Sequence, residues 1–282
     1  MGTLKVDGAT LHYEVTGSGP VLLLIPGGPA DAHAFAGFAE VVARDHAVVT
    51  YDPRGLSRSA VDAPGQVSVR TFADDAARLL DEVGGGPAYV LGSSGGGVVG
   101  LELLAAHPDK VRALVAHEPP AAGVLADVDA GFTRIHGTYL ADGVGPAMGV
   151  FLNVTGLAGT SARMPEPPPE AMAGMMRNLE FFLGSMMGPM QDFRVDERVA
   201  ALPVVIAVGE ESEGQLAHRT AVALAESLSA GTPRTRRSSP DGCARRSPRW
   251  SARASPRGPS RTRRRARRPG RGRGGRAWPG RG

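Results

Sequence analysis

The sequence predicts an α/β fold: a mostly parallel sheet with helices on both faces, interrupted by a helical insertion. Between Val21 and Ala116, short apolar runs alternate with stretches of helical periodicity, the pattern of parallel strands joined by crossover helices. Glycine-rich turns follow the apolar runs ending at Ile25 and Leu91. The rhythm breaks from Ala121 to about Val199 and resumes at Pro203.

Each element has its own signal. Thr3–Val6 and Thr10–Thr16 alternate apolar and polar residues around Asp7-Gly8, as a β-hairpin does. Val21–Ile25 is continuously apolar, as expected of a strand buried on both faces. Phe35, Phe38, Val41 and Val42 give Ala32–Arg44 helical spacing, and Ala47–Tyr51 reads as the next buried strand. Val69–Val83 is a helix stopped by Gly84–Gly86. Ala88–Leu91 and Val111–Ala116 are strands flanking a small-residue helix, Gly96–Ala106. The interrupting stretch places Met172, Met175, Met176, Leu179, Phe182, Leu183, Met186 and Met187 at helical intervals, with prolines at Pro165 and Pro167–Pro169 dividing it. Pro203–Val208 restarts the sheet, and Gly214–Leu228 supplies another helix.

Composition narrows the function classes. A chain of 282 residues with 42% hydrophobic content suits one sheet-based domain with an insertion. No apolar run approaches the ~18 residues of a bilayer span, and Met1–Lys5 lacks the layout of a signal peptide. The expected location is therefore the cytoplasm. The single cysteine, Cys243, excludes an internal disulfide framework and a cysteine-based metal cluster. Neither a metal nor a cofactor is expected. Charge is divided unevenly: residues 233–282 hold 18 arginines and one acid, while the other 232 residues carry 14 basic and 27 acidic groups.

The strongest chemical signal is Gly92-Ser93-Ser94-Gly95-Gly96, placed between a predicted strand and a predicted helix. Gly-x-Ser-x-Gly in that setting lifts the serine oxygen above the sheet on a strained turn, which small flanking residues permit. The spacing assigns the nucleophile to Ser94 and makes Ser93 its neighbour. Acyl transfer also needs two backbone N–H groups aimed at the developing oxyanion. Gly95 offers one. The loop Pro26-Gly27-Gly28-Pro29 offers the other through Gly28, since Pro29 has no N–H.

With these motifs the chain resembles the α/β-hydrolase superfamily over residues 3–230. The family carries His-Gly-Gly-x or similar after its third strand, where this chain has Pro26–Pro29. After the fourth strand it carries Asp-x-Arg-Gly-x-Gly-x-Ser. Here Asp52-Pro53-Arg54-Gly55-Leu56-Ser57-Arg58-Ser59 stands, with Ser57 in place of a glycine. The resemblance implies a core over residues 1–120 and 200–232, the latter incomplete, with residues 121–199 as a helical cap. It also implies hydrolysis through a serine acyl-enzyme without a cofactor. The Met- and Phe-rich cap points to a small, fairly apolar ester or related carbonyl substrate. Epoxide and haloalkane hydrolases of the family use aspartate at the nucleophile position, so their chemistry is disfavoured. An aminopeptidase has no distinctive signature here.

Two glutamates compete for the role of triad acid. The family usually places it as Gly-x-x-Asp after the strand following the cap, where this chain reads Gly209-Glu210-Glu211-Ser212. Glu211 fits with a one-residue shift. The other placement is the end of the strand before the cap, and there Glu118 precedes Pro119-Pro120. Glu118 is preferred. The family's base comes from a loop after the last strand, yet the last histidine here is His218, inside a helix pattern. His33 and His117 lie near the predicted site without occupying the family's position, so no base is assigned. The chain as it stands is expected to be inactive or nearly so.

Residues 233–282 contain no aliphatic residue larger than alanine apart from proline, and no Phe or Tyr. Such a segment buries too little apolar surface to offset chain entropy. It is expected to be unstructured and to arise from a frame change near Thr232. Without a further strand and helix, the sheet is expected to end in an unpaired edge with an exposed apolar face. The alternative from another class is nucleic-acid binding by the arginine-rich tail through phosphate neutralisation, with a catalytically silent body.

Overall fold

Strand β1 (Gly2–Val6) and β2 (Ala9–Thr16) form an antiparallel hairpin that turns at Gly8, whose φ of 71° suits a residue without a side chain. The structure, a computed structural model, describes residues 1–158 and 169–231. The described residues fall in one compact unit. The expectations for the basic tail and for the proline run at 165–168 therefore lie outside the described residues.

The sheet continues through β3 (Val21–Ile25), β4 (Ala47–Tyr51), β6 (Ala88–Ser93), β7 (Val111–His117) and β8 (Val204–Ala207). Its order is β1-β2-β4-β3-β6-β7-β8. From β4 through β8 every pairing is parallel. A two-residue strand, β5 (Ala60–Val61), pairs with β2, and no sequence signal had marked it.

Helices fill the crossovers. α2 (Val69–Val83) starts where the Ser68 hydroxyl accepts the Thr71 N–H at 3.0 Å and stops at Gly84, φ 71°. Its Phe72, Ala76, Leu79 and Leu80 are buried. α3 (Gly95–Ala106) is apolar except for Glu102 and buries Val98, Leu101, Leu103 and Leu104. Glycine lets it approach the sheet closely, since a methyl group at Gly100 would lie 2.8 Å from a Leu114 methyl. Burial of these side chains contributes on the order of 1.5–3 kcal/mol each.

Between β7 and β8 the chain inserts α4 (Ala126–Asp142), α5 (Val144–Thr155), α6 (Pro169–Phe181) and α7 (Met187–Asp192). A π-helical turn, Phe182–Met186, joins α6 to α7 and buries Phe182, Leu183 and Met186. α8 (Leu216–Gly231) follows β8.

One difference from the sequence reading concerns burial. The expected helix Ala32–Arg44 is a 3₁₀ turn (Ala32–Phe35) followed by α1 (Ala36–Val42), and its Phe38 and Val41 are exposed. At the far edge, β8 pairs only with β7 among the described residues. Its Val205 is 56% exposed and lies beside the partly exposed Val115 of β7, on one face of the sheet. Helical spacing reports which residues share a face but not whether another element covers it. No helix among the described residues is long and apolar enough to cross a membrane.

The loop after β4 is anchored by charge. The buried Asp52 carboxylate accepts the Ala32 N–H at 3.1 Å, the Arg58 N–H at 3.0 Å, and two guanidinium contacts from Arg58 at 2.7 and 3.0 Å. Arg54 donates to the buried Asp75 of α2 at 2.6 Å and to the Asp7 carbonyl at 3.1 Å. Burial pushes the Asp52 carboxyl up, but Arg58 and the backbone N–H groups outweigh it and hold it below the usual 3.8. Its folded pKa then lies under its unfolded one. The group contributes stability above pH 3.8 and loses it as pH falls through the lowered folded value. Asp52→Asn should destabilise the fold by about 2 kcal/mol at pH 7 in denaturant titrations, with the gap narrowing below pH 3.8. A gap independent of pH would contradict this account.

Candidate active site

At the end of β6 the chain reverses into α3 through Ser94, whose backbone sits at φ 52°, ψ −123°. A non-glycine residue there is strained by roughly 1–3 kcal/mol. The surroundings explain how it is held. A methyl group on Gly92 would collide with the Gly96 carbonyl, and one on Gly96 with the Ile25 carbonyl. One on Gly27 would strike the Ser93 carbonyl and lie 2.8 Å from Ser94 Cβ. The Ser94 N–H donates to the His117 carbonyl of β7 at 2.8 Å. The elbow is thus clamped by backbone on three sides.

The same close approach brings the two expected oxyanion donors together. Gly95 is the first residue of α3, where N–H groups have no intrahelical acceptor. A methyl group built on it would lie 3.3 Å from the Gly28 nitrogen. Gly28 has φ 56°, and its N–H has no acceptor among the described residues.

Glu118 follows β7 in the left-handed region, φ 49°, and its N–H donates to the Ala207 carbonyl at 2.9 Å. Its Oε1 accepts the Gly209 N–H at 2.8 Å and the Ser212 hydroxyl in a shorter contact. The glutamate at the end of β7 therefore sets its carboxylate beside Ser212, the position that the family's pattern gives to aspartate. Glu211 is exposed and does not line the cavity that holds Ser94. His218 touches the same cluster, with Nδ1 3.3 Å from the Gly209 carbonyl and 3.5 Å from Ser212 Oγ. His117 lines the cavity, whereas His33 is turned to Asp31 at 3.2 Å and is largely exposed.

Ser94, Gly28, Gly95, His117 and Glu118 share one cavity of about 180 Å³. Its far wall is apolar: Phe132 of α4, Phe151 of α5, Phe182 of the π-helical turn, Met187 and Met190 of α7, and Leu216 of α8. The rings of Phe151 and Phe182 meet edge-on with centroids 5.8 Å apart. A larger cavity of about 570 Å³ lies between the 55–66 loop and α6, and holds none of the candidate catalytic groups. No group of three or more His, Cys, Asp or Glu able to hold a metal occurs among the described residues.

Residues 20–139 match the model of the alpha/beta hydrolase fold family. The chain is similar to an uncharacterised hydrolase, YraK, of Bacillus subtilis (strain 168), at 49% identity over 121 residues, 42% of this chain and 44% of that one. Among solved structures it resembles an α/β hydrolase from Sphaerobacter thermophilus DSM 20745, with a TM-score of 0.60, 24% identity, and 82% and 89% of the two chains covered. It also resembles a thermophilic esterase from Thermogutta terrifontis, with a TM-score of 0.59, 20% identity, and 82% and 99% covered. The chain has the α/β-hydrolase fold. The chain spans less than half the length of the curated relatives it matches.

Several features around Ser94 had no sequence signal. Asn178, Ser57 and Asp31 form a polar bridge between the insertion and the loop of Gly28. The cavity wall gathers residues from five separate segments. The strained elbow itself is testable without any assay of turnover. Glycine relieves the strain at position 94 and alanine does not, so Ser94→Gly should exceed Ser94→Ala in unfolding free energy by about 1 kcal/mol. Equal stability would mean that the backbone there is relaxed.

Proposed function

We propose that the chain is a serine hydrolase of small, fairly apolar esters or related carbonyl compounds, with Ser94 as nucleophile. The observation that carries this reading is the cavity in which Ser94, strained on its elbow, faces the loop of Gly28 beneath an apolar wall. Ser94 Oγ would attack the carbonyl carbon, and the N–H groups of Gly28 and Gly95 would hold the resulting oxyanion. The ester C–O bond then breaks, the alcohol leaves with the proton given up by Ser94 Oγ, and water releases the acid from the acyl-enzyme. Glu118 is the proposed acid, because its carboxylate is held by Gly209 and Ser212 at the end of β8. The inserted helices act as the cap that shapes the acyl pocket. A cavity of about 180 Å³ walled by Phe and Met favours short acyl groups over long chains.

The proton acceptor is the weak point of the chemistry. Without a histidine at the family's position, the Ser94 hydroxyl stays protonated and is a poor nucleophile. Oxyanion stabilisation and binding alone still support about 10³–10⁴-fold acceleration over water.

A fluorophosphonate probe should therefore label this chain slowly and only at Ser94. Labelling should vanish in Ser94→Ala and persist in Ser93→Ala, as read by peptide mass spectrometry. Labelling indifferent to Ser94 would sink the reading. A second outcome concerns the acid, in a version encoding the alternative frame beyond Thr232 and regaining the histidine loop. There Glu118→Gln should lower ester turnover toward the ~10⁴-fold scale of triad acid loss, and Glu211→Gln should change it little. Equal turnover of Glu118→Gln and its parent would remove Glu118 from the mechanism.

A further inference from the structure

The helical insertion reaches the loop of Gly28 through one buried side chain, Asn178 of α6. Its Oδ1 accepts the Ser57 N–H at 2.8 Å, and its Nδ2 donates to the Pro29 carbonyl at 3.1 Å and to Ser57 Oγ at 2.9 Å. The amide orientation is fixed by its partners. A backbone N–H can only donate and a carbonyl can only accept, so a flipped amide would lose both bonds. Ser57 Oγ in turn donates to Asp31 Oδ2 at 2.5 Å, and Asp31 Oδ1 caps the His33 N–H at 2.9 Å. One turn along α6, the Phe181 ring lies over Gly55 so closely that any side chain at position 55 would collide with it.

Ser57 is an unusual residue to find here. Its φ is 48°, the left-handed region, which costs a non-glycine residue on the order of 1–2 kcal/mol. Glycine would adopt that backbone freely. The serine hydroxyl is what glycine lacks, and that hydroxyl joins Asn178 to Asp31. Pro29 makes the other bond informative. It has no N–H and a fixed φ, so its carbonyl is the one backbone hydrogen-bonding group by which Pro29, next to Gly28, can be held.

We infer that Asn178 and Ser57 are positioning residues that align the Gly28 N–H with Ser94, so that the oxyanion site is complete only while α6 is docked on the loop. This rests on the serine-hydrolase reading above and deepens it. The bridge places insertion and oxyanion donor under one constraint, and a substrate that settles α6 in place would also settle the donor. In this chain the reaction at Ser94 leans on the oxyanion donors, so its rate reports their alignment directly.

The test compares the full chain with Asn178→Asp, which keeps the acceptor but loses the donor to Pro29, and with Ser57→Gly, which relieves the backbone and removes the hydroxyl. Fluorophosphonate labelling of Ser94 is resolved into the affinity for the probe and the limiting rate. Amide hydrogen exchange is followed over residues 26–32, and thermal unfolding is recorded alongside. Each variant should lower the limiting rate by about tenfold, a fraction of the loss of a whole oxyanion donor, with probe affinity nearly unchanged. Exchange at 26–32 should quicken, and Ser57→Gly should unfold no earlier than the parent. A merely structural role would instead slow labelling only in step with lost stability, and that result would overturn the inference. Unchanged exchange at 26–32 in both variants would overturn the bridge itself. Absence of Ser94 labelling in the parent would overturn the serine-hydrolase reading beneath it, a failure separable from the other two.

Discussion

The candidate site depends on a crossing of three backbones that no side chain can enter. At Gly27, Gly92 and Gly96 a single added carbon would meet a backbone carbonyl. Such a carbonyl cannot swing aside as a flexible side chain can, because its own peptide is fixed by strand pairing or helix bonding. The β3 loop, the end of β6 and the start of α3 therefore touch through main chain alone. That contact seats Ser94 beside Gly28, and everything else in the site is arranged around it.

A second constraint comes from the register of the last strands. Ser93 pairs with His117 and His117 with Ala207, so the three strand ends finish level with one another. Glu118 leaves β7 at that level in a left-handed turn, and its N–H and carboxylate both bond to the end of β8 and the loop beyond it. The charge-bearing ends of the sheet are thus tied crosswise, with the Asp52–Arg58 and Arg54–Asp75 pairs doing the same beneath the 52–59 loop. A buried pair such as Arg54–Asp75 holds loop geometry more than it adds net stability, since desolvation offsets much of the attraction.

Legibility in the sequence followed the range of the interaction. The strands, the crossover helices and the turn at Ser94 rest on spacing within ten or so residues, and each was readable. That the Glu118 carboxylate meets Gly209 and Ser212 was not readable, because the contact needs the neighbouring strand to be in place. The face of α1 was misjudged in one respect: Phe38 and Val41 have core-like spacing yet are exposed. Periodicity shows which residues share a side, whereas burial depends on what other segment arrives to cover it. Asn178 was not readable at all. It lies 121 residues from Ser57, and an asparagine within a run of methionines carries no local mark of its partner.

By itself the sequence determined the alternation of strands and helices, the place of the strained turn at Ser94 and the glycines that permit it. These follow from local sterics and from the periods of the two regular structures, which act within a single segment. Tertiary structure alone decided which carboxylate reaches the end of β8, which apolar side chains wall the cavity around Ser94, and how the insertion holds the loop of Gly28. Those choices depend on distances between segments far apart in the chain, and such distances exist only once the sheet has set every strand in register.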